Sequence, residues 1–289
     1  MRLLFIIVML VIWFLAVTMI FIQSTRKTYP GFGAWTLGHF VMAAGFLLLS
    51  LRGIIPDWLS VLGGNTCFPL AIVFYLKGTY RFLNQAPMPL WWYGFPLASL
   101  IGCAYFHLIT DSLVNRSLII ALVVAIPNWA VAWLIIRSER KDPSLFYPVV
   151  SAVMFINGLI ILIRAVWILF IPDFDIMSEA PIQYIYFISV IIFQIACSIS
   201  FITLNSERME RDLYASELEL KNSIDRLHAA LEEVKTLGGL LPICANCKKI
   251  RDDSGYWHQL EEYISTHSHA EFSHGTCPEC ARKLYPELF

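Results

Sequence analysis

Four cysteines near the carboxyl end carry the clearest chemistry in this chain. Cys244-Ala245-Asn246-Cys247 and Cys277-Pro278-Glu279-Cys280 are two C-x-x-C pairs separated by 29 residues. A spacing of two lets both thiolates of a pair approach one tetrahedral ion, and two pairs complete the four-coordinate shell of a structural zinc. Zinc is therefore the expected cofactor, with Cys244, Cys247, Cys277 and Cys280 as its ligands. The same residues admit a pair of redox-active dithiols, an iron centre, or a shell of three cysteines and one histidine, for which His274 is the best placed. Four thiolates saturate zinc, so His258, His267 and His269 read as surface or supporting residues, and Glu271 and Glu279 have no metal-bound water to deprotonate. A module of about 50 residues buries only a small core, so the ion supplies folding free energy that packing does not.

The second set of chemically capable residues lies inside apolar stretches: Arg164, His39, His107 and Asn65, with Asn128, Asn157 and Gln194 beside them in kind. A guanidinium at membrane depth is costly unless it faces the bundle interior, water or an acid. Arg164 is accordingly either an anion or ligand contact in an outward-facing cavity or a structural group, paired with Asp57 or Asp111 or snorkelling to the interface. His39 and His107 titrate near neutral pH when free, but a satisfied core histidine is the plainer reading. For Asn65 and the other amides the plainer reading is a hydrogen bond that fixes helix packing. No metalloprotease helix or hydrolase nucleophile turn is present in the sequence.

The elements that must position these groups follow from composition. Hydrophobic residues make up 57% of the 289 and charged residues 15%, and residues 1–204 hold only 18 of the 43 charges. That is too little charge to cover a soluble domain of that length. Seven stretches reach the ~20 apolar residues that a helix needs to cross a bilayer. They are Leu3–Ile22, Ala34–Leu51, Trp58–Leu76, Leu90–Ile109, Ser117–Ile136, Phe146–Phe170 and Ile182–Leu204. Trp91, Trp92 and Tyr93 read as interfacial anchors. With the amino terminus outside, inner loops hold Arg26, Lys27, Lys77, Arg81, Arg137, Arg140 and Lys141, against Arg2, Arg52 and Arg116 outside. Basic residues accumulate on the cytoplasmic side, so the carboxyl end is expected in the cytoplasm.

After Leu204 the chain turns to Ser206-Glu207-Arg208-Met209-Glu210-Arg211-Asp212, which lipid does not accept. Leu213, Leu220, Ile224, Leu227, Leu231 and Val234 then recur, with steps of four and three from Leu220 onward, interrupted only by Glu217. That is coiled-coil spacing, and it predicts a homodimer through residues 213–234. Gly238-Gly239 is expected to end the helix. In the tail, Asp252-Asp253-Ser254-Gly255 predicts a turn, and Trp257–His267 a short helix. Residues 240–289 hold five Lys and Arg against seven Asp and Glu, so no nucleic-acid partner is expected.

Two resemblances add to this reading. Trp35, Gly38, His39, Leu47 to Arg52, Gly53, Ile55, Pro56, Asp57, Leu59, Ser60, Gly64 and Asn65 resemble the start of multi-helix membrane sensor regions that precede diguanylate cyclase or histidine kinase domains in bacteria. Gly239-Leu240-Leu241-Pro242-Ile243-Cys244, Lys248 to Asp253, Gly255-Tyr256-Trp257, Phe272-Ser273-His274-Gly275, Cys277 to Cys280 and Tyr285-Pro286-Glu287 are similar to a short cysteine module. That module follows coiled coils at the carboxyl ends of bacterial response-regulator and PAS-containing signalling proteins. The resemblances imply a sensory protein of the bacterial inner membrane, associated with signal transduction, and the cysteine module carries no established catalytic activity.

The expectation is therefore an all-α integral membrane bundle of seven transmembrane helices (1–204), a cytoplasmic coiled-coil signalling helix (205–237) and a four-cysteine zinc-knuckle module (238–289). It would relay a stimulus to an unidentified cytoplasmic signalling protein. A membrane-bound thiol-redox protein is the alternative.

Overall fold

Arg2–Thr25 (α1) is apolar on nearly every face, and in lipid such a segment must satisfy its backbone groups within itself, which a helix does. Phe5, Val8, Ile12, Ala16 and Met19 form one buried stripe, while Leu3, Leu10, Phe14 and Phe21 point outward. An apolar helix with an apolar outer face fits a hydrocarbon surrounding rather than water. In the computed structural model, which describes residues 1–138, 144, 146–171, 181–235, 241–268 and 270–288, this pattern recurs along the first part of the chain.

The further helices there are α2 (Phe32–Ser50), α3 (Gly64–Phe82), α4 (Gly94–Leu108), α5 (Leu113–Ser138), α6 (Phe146–Ile168) and α7 (Pro181–Lys235). A π-helical turn, Leu59–Gly63, leads into α3, and a 3₁₀ turn, Leu90–Tyr93, leads into α4. Among the described residues six helices are long and apolar enough to cross a membrane: α1, α2, α3 with its π turn, α5, α6 and α7. The chain is a multi-pass membrane protein built of helices. The stretch expected over Leu90–Ile109 forms the 15-residue α4 behind its 3₁₀ turn. Trp91 is exposed as an anchor would be, whereas Trp92 is buried.

Close packing of α2 on α3 rests on glycines seven residues apart. Gly31, Gly38 and Gly45 face Gly78, Ala71 and Gly64 in antiparallel order. A Cβ at Gly31 would collide with the Gly78 carbonyl oxygen, one at Gly38 would lie 2.5 Å from the Tyr75 ring, and one at Gly45 would lie 3.1 Å from the Gly64 carbonyl oxygen. Small residues let backbones approach where no hydrophobic force between helices exists, and van der Waals contact then holds them. Gly78 further makes room for the Trp35 indole, which stacks on Phe201 of α7 with ring centres 4.0 Å apart and planes 5° off parallel.

The chain divides into two compact units, Met1–Asp212 and Leu213–Phe289. In the second, the last part of α7 exposes Leu213, Leu220, Ile224, Leu227 and Leu231, all members of the coiled-coil spacing. The expected stop at Gly238-Gly239, and the side chain of Val234, lie outside the described residues. Beyond them come an antiparallel pair, β1 (Ile250–Arg251) and β2 (Trp257–His258), then α8 (Leu260–His267) and α9 (Pro278–Leu284). The turn at Asp252–Gly255 forms as expected, with Gly255 at φ +92°. The short helix starts later than expected. Trp257 pairs with Arg251 in the hairpin, so helix begins only at Leu260.

Candidate functional site

The first cysteine pair sits on a turn that its own backbone closes. The Cys244 N–H donates to the Lys249 carbonyl at 2.9 Å, and the Lys248 N–H returns to the Cys244 carbonyl at 3.0 Å. Lys248 takes a left-handed φ of +60°, and an Ile243–Ile250 bridge ties the turn to the hairpin. This folding aims the Cys247 and Asn246 amides, and then the Cys247 side chain, at the Cys244 sulfur and holds that thiol below its ordinary pKa. The second pair opens α9. Cys277 is its N-cap, with Pro278 at the first helical position, and the Cys280 N–H donates to the Cys277 sulfur at 3.5 Å. The Cys280 amide and side chain, and then the Glu279 amide, lower the Cys277 thiol likewise. Amides that stabilise thiolate prepare a sulfur for a soft cation.

The structure thus brings Cys244 to Cys247 and Cys277 to Cys280. It does not bring the two pairs together: among the described residues no three His, Cys, Asp or Glu converge at metal-binding distance. Cys247, Cys277 and Cys280 are exposed and Cys244 half-buried, all as free thiols. Each pair by itself suits a thiophilic ion in the chemistry of its donors and in the amides facing the sulfurs. His274 is exposed, and His267 stacks on Tyr263 with ring centres 4.1 Å apart. His258 donates from Nε2 to Asp252 at 2.7 Å. His269 lies outside the described residues.

The intramembrane residues separate into three places. Arg164 donates to Gln183 Oε1 from Nη2 at 3.0 Å and from Nε at 3.3 Å, with its guanidinium 4.3 Å from the centre of the Tyr186 ring. Arg164 and Asn65 line one cavity of about 60 Å³, and Asn157 and Gln194 line another of about 40 Å³. Phe46, Phe68, Ile120, Ile161 and Tyr186 border both. These volumes suit a few water molecules and not an organic ligand. Asn65 itself donates to the Val61 carbonyl at 2.8 Å.

His39 lies elsewhere, fully buried between α2 and α7. Its Nδ1–H donates to the Trp35 carbonyl at 2.9 Å, and its Nε2 is 2.7 Å from the Ser198 hydroxyl, which is also 2.7 Å from the Gln194 carbonyl. One turn away the Tyr75 hydroxyl donates to Gln194 Oε1 at 3.2 Å. His39 therefore acts as a bridge holding α7, and no cavity reaches it among those described.

His107 occupies the third place, where its Nδ1 accepts from Arg116 Nη1 at 2.8 Å. Arg116 also reaches Asp111, with Nη2 to Oδ1 at 3.6 Å. Asp111 is thus the partner of Arg116 and not of Arg164. Sequence reading counted Arg116 as a loop charge, because the apolar run starts at Ser117, but α5 begins at Leu113 and buries it. The five-residue step from Asp111 to Arg116 across the start of α5 was the available signal.

No family model matches this sequence, and neither a curated protein nor a solved structure matches it.

Proposed function

We propose that this chain is a membrane signalling protein in which a seven-helix sensor drives a cytoplasmic helix that ends in a zinc-bearing interaction module. The observation that carries this reading is α7, one helix running without a break from Pro181 to Lys235, apolar at its start and charged at its end. Within the bundle α7 is gripped at successive turns: Gln194 by Tyr75, Ser198 by His39, Phe201 by Trp35, and Asn205 Oδ1 by the Tyr29 N–H at 2.9 Å. A shift of α2 and α3 therefore moves or rotates α7, and a helix transmits that motion along its length. The signal can be no larger than the stimulus's differential affinity for the two arrangements.

In this reading α4 completes seven crossings, the amino terminus faces outward and the carboxyl end lies in the cytoplasm of a bacterial inner membrane. Leu220, Ile224, Leu227 and Leu231 meet a second copy, which makes the relay a homodimer. Cys244, Cys247, Cys277 and Cys280 hold zinc, which gives the tail a fixed face for a signalling partner. No reaction is assigned to the chain.

Two measurements on the purified full-length protein test this. Metal analysis should find about one zinc per chain, lost in Cys277→Ser. Single cysteines placed at 224 and at 231, in a chain otherwise free of reactive thiols, should form disulfide-linked dimers in membranes. Metal-free protein whose Cys244 and Cys247 cycle as a dithiol would replace this reading with a redox one, which the lowered Cys244 thiol favours. Absence of crosslinks at both positions would remove the dimeric relay.

A further inference from the structure

Where α3, α5 and α7 leave their apolar stretches, a cavity of about 600 Å³ opens between Arg137, Arg208, Arg211, Leu83, Leu134 and Tyr147. Its volume lies in the range of built small-molecule sites. Three guanidiniums meet there, and two of them are held on aromatic faces. Arg208 lies 4.6 Å from the Tyr29 ring centre and 5.1 Å from that of Phe82, and it also donates to the Phe82 carbonyl. Arg137 lies 4.9 Å from the centre of the Trp133 ring. Such placement presents arginine forks with little ordering left to do on binding.

Among the described residues two carboxylates face these guanidiniums. Asp212 lines the cavity and accepts from the Tyr29 hydroxyl. Glu207 stands beside it, 3.3 Å from Arg211, and accepts from the Ser144 hydroxyl. Among the described residues three guanidiniums thus stand with two carboxylates at a helix-end position, where a bilayer places its phosphates. Leu83, Leu134 and the Trp133 ring supply apolar wall on the same cavity, at the level where acyl chains begin.

We propose that this cavity binds the headgroup of an anionic phospholipid of the adjacent leaflet, with the phosphate on Arg137, Arg208 and Arg211. Charge, apolar wall and depth coincide for a lipid, whereas a free phosphate would use only the first. Because Arg208 and Arg211 belong to α7, occupancy bears on the same helix that extends to Lys235.

The test uses detergent-purified full-length protein and three probes: dioctanoyl phosphatidylglycerol, dioctanoyl phosphatidylcholine and inorganic phosphate. Phosphatidylglycerol should bind saturably and about tenfold more tightly than phosphatidylcholine. Arg137→Gln, at an exposed side chain, should weaken it about fivefold, and Arg137→Gln with Arg211→Gln further. Thermal melting of each variant confirms that the bundle remains folded. Equal binding of the two lipids, or an unchanged Kd in the folded double variant, overturns the site. Inorganic phosphate that binds and displaces phosphatidylglycerol at equal concentration overturns its assignment to lipid.

Discussion

In Met1–Asp212, Trp35, Tyr75, Phe82 and Phe201 are buried against one another, whereas among the described residues of Leu213–Phe289 only Ile250 is buried. The two units therefore draw their stability from different sources. The bundle has a continuous core and pairs buried polar groups internally, as His39 with Ser198 and Asn65 with the Val61 carbonyl illustrate. The tail has turns, a two-residue hairpin and two short helices around almost no core. Segments of that kind gain independent stability from a metal or a partner. Two preformed cysteine pairs and an exposed heptad stripe are what the tail offers to such agents.

Chelation is the sharpest way to break this comparison. Hydrogen exchange on the full-length protein should show protection at Ile250, Trp257 and the α9 amides in the presence of zinc, and complete loss of it after chelation or in Cys277→Ser. Amides of α2, α3 and α5 should not respond. A tail that keeps its protection without metal would show that the two units are stabilised alike.

A pair of glycine substitutions comes next in size. Gly78→Ala drives a methyl into the Trp35 indole and the Gly31 backbone, a packing conflict expected to cost about 1–3 kcal/mol and to lower the bundle's melting temperature. Gly255→Ala meets no atom within 4 Å and strains only a left-handed backbone, for about 1 kcal/mol at the hairpin. Each change should leave the other unit untouched. The same mutation thus reports packing in one unit and turn geometry in the other, and equal losses in the two would blur that distinction.

How far the sequence revealed these features depends on the distance over which each is determined. Runs such as Leu3–Ile22 announce helices because composition alone decides them in lipid. The cysteine spacing announces two local pairs because neighbouring residues, Cys244 to Lys249 in the first and Cys277 to Cys280 in the second, build each one. Gly31, Gly38 and Gly45 stood in plain view at steps of seven, yet their meaning required knowing that Gly64, Ala71 and Gly78 face them. Arg116 was lost to a four-residue error in where α5 begins. Tyr256-Trp257 suits helix or strand equally in a short run, and the backbone bonds of Asp252 and Arg251 decided for strand. What stayed illegible was side-chain pairing across helices, including His39 with Ser198 and the arginines around Tyr147.

The smallest expected effect concerns Asp252, the residue that locks the hairpin turn. Its carboxylate accepts from the Tyr256 N–H at 2.8 Å and from His258 at 2.7 Å, and these contacts, the Tyr256 amide first, hold its pKa below the ordinary carboxylate value. A carboxylate depressed on folding contributes stability that is present above its unfolded pKa of about 3.9 and disappears as pH falls through the folded value. At neutral pH that contribution is complete. Thiolate ligands take up protons before this carboxylate does, so acid would release a bound metal first and hide the Asp252 step. Asp252→Asn at pH 7 avoids the overlap. It should speed amide exchange at Tyr256 severalfold while zinc content and the bundle's melting temperature stay unchanged. Loss of zinc in this variant would mean that the hairpin, and not the metal, organises the tail, which reverses the order of dependence argued for the two units.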